Sequence, residues 1–413
     1  MVQYLGEIFK DHKQKDRIRY NDIFFINGQN ENDPEIIELK FKLVEVACQQ
    51  KSWGKPMPMA WVPLDLQMSD LRFHNMNIIS KEELMTLNQR NGDLKLSVEQ
   101  IKYFLNHQHS LGKILYFDQE GLDHFIIVQP QSLVNILRSF ITAECFWPKD
   151  EKLKGILETL RETRGKITKK NLLKLWSQEK FHQHMPNGDF KEFIIQVLVH
   201  LDILGEPRHY KPEEPYLVPC MVIHGPPTTD VISAEKTICL SYTLLKSSIF
   251  AALVFRLIGA AIHVWPLQKR QGRICLYHQA AIFCIDETNE LHLSVIDDKI
   301  VVYLKNEKEK GSIQPELASM VQEHLTLTMT RILKFYHKSS EVSKLFELKV
   351  GDWCTSDKVC YISVPEVQEQ TEWRCKNGKE HDKTYPRYWI FNEVSLICIN
   401  LSLILFFKYF VTF

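Results

Sequence analysis

The sequence predicts an α+β chain of several domains, and three observations predict it. Apolar residues recur at helical spacing through residues 80–203. Through residues 273–305 they fall into short β-like runs joined by polar turns, the mark of an antiparallel meander. The chain has 413 residues, enough for two to four domains with more than one core.

Charge and cysteine content narrow the class. Lysine plus arginine equal aspartate plus glutamate, 51 against 51, so no global field draws in nucleic acid or an anionic membrane. The ten cysteines are scattered, and most lie in apolar runs (Cys48, Cys220, Cys239, Cys275, Cys284). That pattern suits buried thiols in a reducing compartment better than a disulfide framework. The opening MVQYLGEIFKDHKQK has no apolar segment of the secretory kind, so the chain reads as cytoplasmic.

Residues 1–62 begin with a polar helix, Val2 to about Lys15, then a strand at Asp22–Asn27 and a helix at Pro34–Gln50. That helix carries Ile36, Leu39, Leu43, Val46 and Ala47 on one face. Asp33 before Pro34 is an N-cap residue followed by proline at the first helical position. One strand between two helices leaves both strand edges and a helix face without partners. The expectation is that either the segment completes a sheet supplied elsewhere or the chain is a fragment.

Residues 63–225 are mainly helical. Ser80–Leu87 and Ser97–Asn106 read as helices, with Ser80 and Ser97 as caps and Glu83 and Gln100 three residues on. Two β-like runs follow, Lys113–Phe117 and Phe125–Val128, joined by the polar link Asp118–Asp123. After a stop at Pro130 comes an amphipathic helix with Leu133, Ile136, Leu137 and Phe140. Beyond Trp147–Pro148 come helix Asp150–Arg164, a break at Gly165–Ile167, helices Thr168–Trp176 and Phe190–Ile203, and an extended Tyr216–Val222. From Pro148 to Asp189 there are ten Lys/Arg against six Asp/Glu, with few aromatics. Phosphate and base readers cluster charge more strongly, so this is a solvated face of a protein-interaction module.

Residues 226–340 change character. Ser247–Ile262 is a strongly apolar helix, and its Phe250–Ile262 stretch, apolar all round but for Arg256, is either deep core or core plus partner surface. Strands follow at Arg273–Ile285, Leu291–Ile296 and Ile300–Lys305, turning at Thr288-Asn289 and Asp297-Asp298. Helix Pro315–Lys338 closes the unit with Leu317, Val321, Leu325, Thr328, Ile332 and Phe335 on one stripe. A Cys/Trp-rich appendix (341–390) and a hydrophobic tail (391–413) complete the chain.

The order of these motifs resembles the Roco family. LGKILYF, a strand, then Val-x-Pro-Gln-x-Leu opening a helix is similar to the first half of a COR domain. COR, the C-terminal-of-Roc module, follows a Ras-like GTPase called Roc in those proteins. The helix, GKIT, helix, helix, strand order resembles a winged helix. The apolar helix, Trp265-Pro266, meander and long helix look like the second, dimerising half of COR. Helix, FFINGQ and helix at the start look like the last elements of Roc. The family often has Trp after the Pro-Gln pair, where Ser132 stands here, which implies looser packing at that turn.

The resemblance implies a partial Roc α/β remnant at 1–62 and a winged-helix-like COR first half at 63–225. It implies an antiparallel meander plus helices at 226–340. By position, the GTPase-facing strand falls on Phe125, Ile126, Ile127 and Val128, and the dimer interface on Phe250, Leu253 and Leu257. The implied partners are a Roc GTPase domain, upstream or in trans, and a second copy of the chain. No G-x-x-x-x-G-K-[ST] occurs, so GTP would be held only by residues upstream of Met1. The implied role is non-catalytic: dimerisation and GTPase coupling in intracellular signalling. The rivals are a winged-helix nucleic-acid binder and a tail-anchored membrane adaptor.

Chemistry-bearing motifs are few. H-E-x-x-H, G-x-S-x-G and G-x-G-x-x-G are absent, and the pairs His107/His109 and His182/His184 have a spacing that does not share a helix face. One metal-like cluster stands out: Cys354-x5-Cys360-x14-Cys375-x5-His381, three thiols and an imidazole that would complete a closed tetrahedral zinc site. Residues 350–390 hold few aliphatics and two tryptophans, Trp353 and Trp373, a composition that needs a staple. The spacings exceed the usual Cys-x2–4-Cys, so unconnected buried or free cysteines are the alternative. In the tail, charge-free Val394–Phe407 would span about 21 Å as a helix, short of about 30 Å of hydrocarbon. A tail anchor, a buried terminal helix and a mistaken gene-model end are the three readings of it.

Overall fold

A computed structural model describes residues 2–11, 22–50, 53–54, 56–182, 184–185, 187–207, 211, 214–226, 238–245, 247–306, 308, 314–336, 345–355, 358–364, 373–375, 378 and 380–381. The hydrophobic tail lies outside them. The chain divides into two compact units, 1–118 with 123–129 and 119–122 with 130–413. The division falls within the 63–225 stretch read from sequence as one domain.

In the first unit, α1 (Val2–Ile8) and α2 (Pro34–Cys48) come first. Asp33 caps α2, accepting from the Glu35 amide, with Pro34 in the first turn. The strand expected at Asp22–Asn27 is absent: residues 23–27 join no ladder, and Phe25 is 68% exposed. No residue of α2 is buried. An isolated strand has no ladder partner, and the described residues offer it none.

The compact part of this unit starts at α3 (Val62–Phe73), which was not expected and which buries Leu64 and Met68. Strand β1 (Ile78–Ser80) leads into α4 (Lys81–Gln89), and α5 (Val98–Ser110) follows. Both helices start in reciprocal capping boxes, Ser80 with Glu83 and Ser97 with Gln100, which satisfy two orphan amide donors at each helix start. Strand β2 (Phe125–Ile127) pairs antiparallel with β1, Ile78 facing Ile127 and Ser80 facing Phe125. Lys113–Phe117 is not a strand; only Leu115 bridges to Ile127. Leu64, Met68, Leu84, Phe104, Ile126 and Val128 share one core.

The second unit begins with α6 (Pro130–Leu137), where Pro130 opens the helix. Ser132, standing where Trp was expected, is buried and meets His184 Nδ1 at 2.8 Å. Burial lowers the His184 pKa, which favours the neutral imidazole at that contact. Then come α7 (Glu151–Glu162), β3 (Lys166–Ile167), α8 (Lys169–Leu175), α9 (Gly188–His200) and β4 (Tyr216–Leu217). β3 pairs antiparallel with β4, and Gly205 bridges to Leu217. Gly165 joins α7 to β3 at φ +85°, where a Cβ would meet the Val218 carbonyl at 2.6 Å. Trp176, fully buried, donates Nε1–H to Ser139 Oγ at 2.8 Å.

The rest of this unit is built on a seven-stranded antiparallel sheet. In chain order it adds β5 (Cys239–Leu244), α10 (Ala251–Val264), the small pair β6 (Lys269–Arg270) and β7 (Arg273–Ile274), β8 (Leu276–Tyr277), β9 (Ala280–Cys284), β10 (Asn289–Ile296), β11 (Lys299–Asn306), α11 (Pro315–Tyr336), β12 (Phe346–Thr355) and β13 (Lys358–Ser363). The spatial order is β13-β12-β5-β11-β10-β9-β8. The single strand expected at Arg273–Ile285 is three pieces, because Gln279 turns at φ +54°. The turn at Asp297 and Asp298 holds, both residues lying at positive φ. Asp286 caps the other turn, accepting from the amides of Thr288 and Asn289. Residues 247–250 are not helical, so the apolar helix starts at Ala251. Leu253, Leu257 and Ile258 of α10 and Val321, Leu325 and Met329 of α11 share one core with Leu240, Leu293 and Val302 of the sheet.

β12 and β13 lie in the segment expected to be a coreless appendix. Val350 is fully buried and Ile362 is 4% exposed, both in the main core, so a boundary after residue 340 would cut one sheet. Beyond them, β14 (Trp373–Arg374) pairs with β15 (Glu380–His381). Among the described residues no helix is long and apolar enough to cross a membrane.

Candidate metal centre and interaction surfaces

Two hairpins bring the four predicted ligands together. In the β12–β13 ladder Asp352 faces Cys360, Trp353 faces Val359 and Thr355 faces Lys358, so Cys354 is the extra residue of a β-bulge. A bulge of this kind re-aims a side chain next to a site. In the β14–β15 hairpin Trp373 faces His381, and Cys375 follows β14 directly. Each hairpin thus supplies two ligands. The three Sγ atoms and one His381 ring nitrogen all lie within 4.8 Å of one another. Cys354 and Cys375 place their sulfurs 3.5 Å apart. An S–S bond would need about 2.05 Å; ligands of a tetrahedral thiolate site sit about 3.8 Å apart for a metal–sulfur bond of about 2.3 Å.

His381 is held from behind. Its side chain is 0% exposed and its Nδ1–H donates to Asp352 Oδ2 at 2.6 Å, which assigns Nε2 as the ligating atom. Burial pushes the Cys360 thiol up to about 12, and the thiols of Cys354 and Cys375 push it the same way. Three thiolates this close repel one another unless a cation offsets them. The spacing of the ligands was legible in the sequence; Asp352 was not singled out, although its place two residues before Cys354 in an extended segment was the available signal.

The interface residues expected from sequence prove more buried than surface. Ile126, Ile127 and Val128 are fully buried, and only Phe125 is partly exposed. Both flanks of β2 are also paired, by β1 on one side and Leu115 on the other. Leu253 and Leu257 are fully buried in the main core. Phe250, at the N-terminus of α10, is partly exposed, its ring 5.0 Å from Tyr336. Phe335 and Tyr336 are 48% and 41% exposed, and the Arg256 guanidinium lies over both rings. A cavity of about 200 Å³ beside this cluster is lined by Ala252, Phe255, Phe335, Ile203 and Cys220.

Sequence comparison follows the same line. Residues 58–222 match the family model of the C-terminal of Roc, COR-A domain. No curated protein matches the chain. A solved structure of Methanosarcina barkeri Roco2 RocCORdC bound to GDP is similar at 15% identity and a TM-score of 0.32, over 46% of this chain and 52% of that one. The chain thus spans about half the length of that structure. Residues 58–222 are therefore a COR-A domain, the C-terminal-of-Roc module of Roco proteins.

Proposed function

We propose that this chain is the non-catalytic coupling and dimerisation module of a cytoplasmic Roco-type signalling protein. The observation that carries the reading is the COR-A match over residues 58–222, a domain that accompanies a Roc GTPase. On this reading the first COR half (63–225) meets a Roc domain and responds to its nucleotide state, and the second half (226–340) pairs with its copy in another chain. The helix–strand–helix–helix–strand order of residues 151–217 supports a winged-helix-like first half. The uncovered apolar side of α2, with Ile37 51%, Phe41 73% and Val44 59% exposed, supports residues 1–62 as the closing part of a Roc domain. GTP would act on this chain through contact, held by the Roc domain.

The test uses the full chain and a separately expressed Roc domain, titrated calorimetrically in its GDP state and with a non-hydrolysable GTP analogue. The expected result is binding with a Kd that differs between the two states by about fivefold or more, the usual scale of allosteric coupling. Equal affinity in both states, or no binding in either, would sink the coupling. Phe125→Asp, a change at the partly exposed end of β2, should weaken docking about tenfold or more with the unfolding midpoint preserved. Ile126→Asp is the contrast: a charge at a fully buried position should unfold the first unit instead.

A further inference from the structure

We propose that Cys354, Cys360, Cys375 and His381 hold one structural zinc ion, with Asp352 orienting the histidine, and that this ion fastens the β14–β15 hairpin to the edge of the seven-stranded sheet.

Three independent observations converge on the site. The first is the donor set: three sulfurs and one imidazole nitrogen within 4.8 Å of one another, drawn from two separate hairpins. Soft thiolates with an imidazole suit zinc, and four protein ligands leave no open position, which makes the site structural and not catalytic. The second is the hydrogen bond from His381 Nδ1–H to Asp352 at 2.6 Å, the carboxylate–histidine arrangement that fixes tautomer and ring orientation behind a metal ligand. The third is the bulge at Cys354, an interruption of an otherwise regular ten-residue strand at the residue that must leave the ladder's alternation.

The mechanics of the fold give the ion its task. β14 and β15 pair over only two residues each, Trp373 with His381 and Arg374 with Glu380. A hairpin of that size does not stand alone in water. β13, in turn, is the edge strand of the sheet. Linking Cys354 and Cys360 to Cys375 and His381 fixes the small hairpin against the large one. Binding is balanced by proton release: Zn²⁺ replaces the thiol protons of the three cysteines, up to three H⁺ leave to solvent, and neutral His381 coordinates through Nε2 while its Nδ1–H stays on Asp352.

The test is metal analysis of the full chain, expressed with zinc supplied and purified in reductant without chelator. The expected content is about one zinc per chain. Cobalt(II) in its place should give the visible and thiolate charge-transfer bands of a tetrahedral sulfur-rich site. Asp352→Asn, which keeps all four ligands, should lose zinc to a competing chelator about 10–100-fold more readily. His381→Cys should retain the metal, and Cys145→Ser, at an exposed cysteine elsewhere, should leave content unchanged. Wild-type chain that is folded and metal-free would overturn the proposal. So would a Cys354–Cys375 disulfide forming in reductant in place of the metal. Because the wild type alone decides it, a variant that fails to fold does not blur the result.

Discussion

Glu290 keeps its charge at 4% exposure because donors converge on it. Burial alone would push its carboxyl up, but hydrogen bonds from His292 and Gln268 and the Arg270 guanidinium outweigh that and hold it down at about 2. Tyr303 completes the row, its hydroxyl 3.0 Å from His292 Nδ1 and its ring stacked on the imidazole. His324 is the opposite case. Its ring packs edge-on to Trp265 at 4.9 Å, and burial, followed by the charges of Arg331 and His263, lowers it to about 4. Both groups have folded pKa values below their unfolded ones, so in both the unfolded chain takes up the proton first as pH falls. The His324 contribution is intact above about 6.5 and is lost between there and about 4; the Glu290 contribution is intact above about 4.5 and is lost towards about 2. Thermal midpoints measured across pH should therefore start to drop in the mildly acidic range, as each group takes up to about 1.4 kcal/mol per pH unit from the stability. In a His324→Phe variant the decline below about pH 6.5 should be shallower, His184, His200 and His263 keeping their share of it because burial lowers them too; an unchanged profile would show that His324 does not contribute to the upper window.

Asp202, at the end of α9, ties three helices together. It is 3% exposed, accepts from Arg331 of α11 at 2.9 and 3.0 Å, and faces Arg256 of α10 at 3.5 Å. Gly259 lets α10 approach this turn, since a Cβ there would lie 2.3 Å from the Asp202 carbonyl. Asp202→Ala should cost about 3–5 kcal/mol in a denaturant titration, because it leaves the buried Arg256 charge without its partner. Asp202→Asn should recover part of this, since Asn tolerates the positive φ of 56°.

None of this could be read from spacing, as Asp202 and Arg331 lie 129 residues apart. What could be read was local. The capping boxes at Ser80 and Ser97, the proline start of α2 and the Asp297-Asp298 turn each rest on chemistry within four residues. The misses are mainly the long-range ones. β1 is three residues long and becomes a strand only because β2 lies beside it. β5 and β12 were missed because their ladder closes over about 100 residues, and β13, which pairs locally with β12, because its apolar residues are interrupted by lysine, cysteine and serine. The metal cluster was visible as a list of ligands; the pairing that makes it compact was not, since the Cys354 bulge is a property of the ladder.

For the chain as a whole, the proposed dimer turns on the aromatic group at the start of α10 and the end of α11. Leu253 and Leu257 are spent on the internal core, which leaves Phe250, Phe335 and Tyr336 as the surface able to meet a second copy. Phe250→Glu should convert a dimer to a monomer in size-exclusion chromatography with light scattering, with the far-UV spectrum unchanged. A wild type that stays monomeric at high micromolar concentration would remove dimerisation from the proposed role.

The placement of β5 has one more consequence. It sits between β11 and β12, so one of its edges is met soon after by the meander and the other only by residues 346–351. During synthesis the growing protein therefore cannot finish this sheet vectorially. For more than 100 residues of translation after Leu244 leaves the ribosome, one side of the strand waits bare, a template for any passing extended segment, and a shortened product ending near residue 340 would keep that hazard for good.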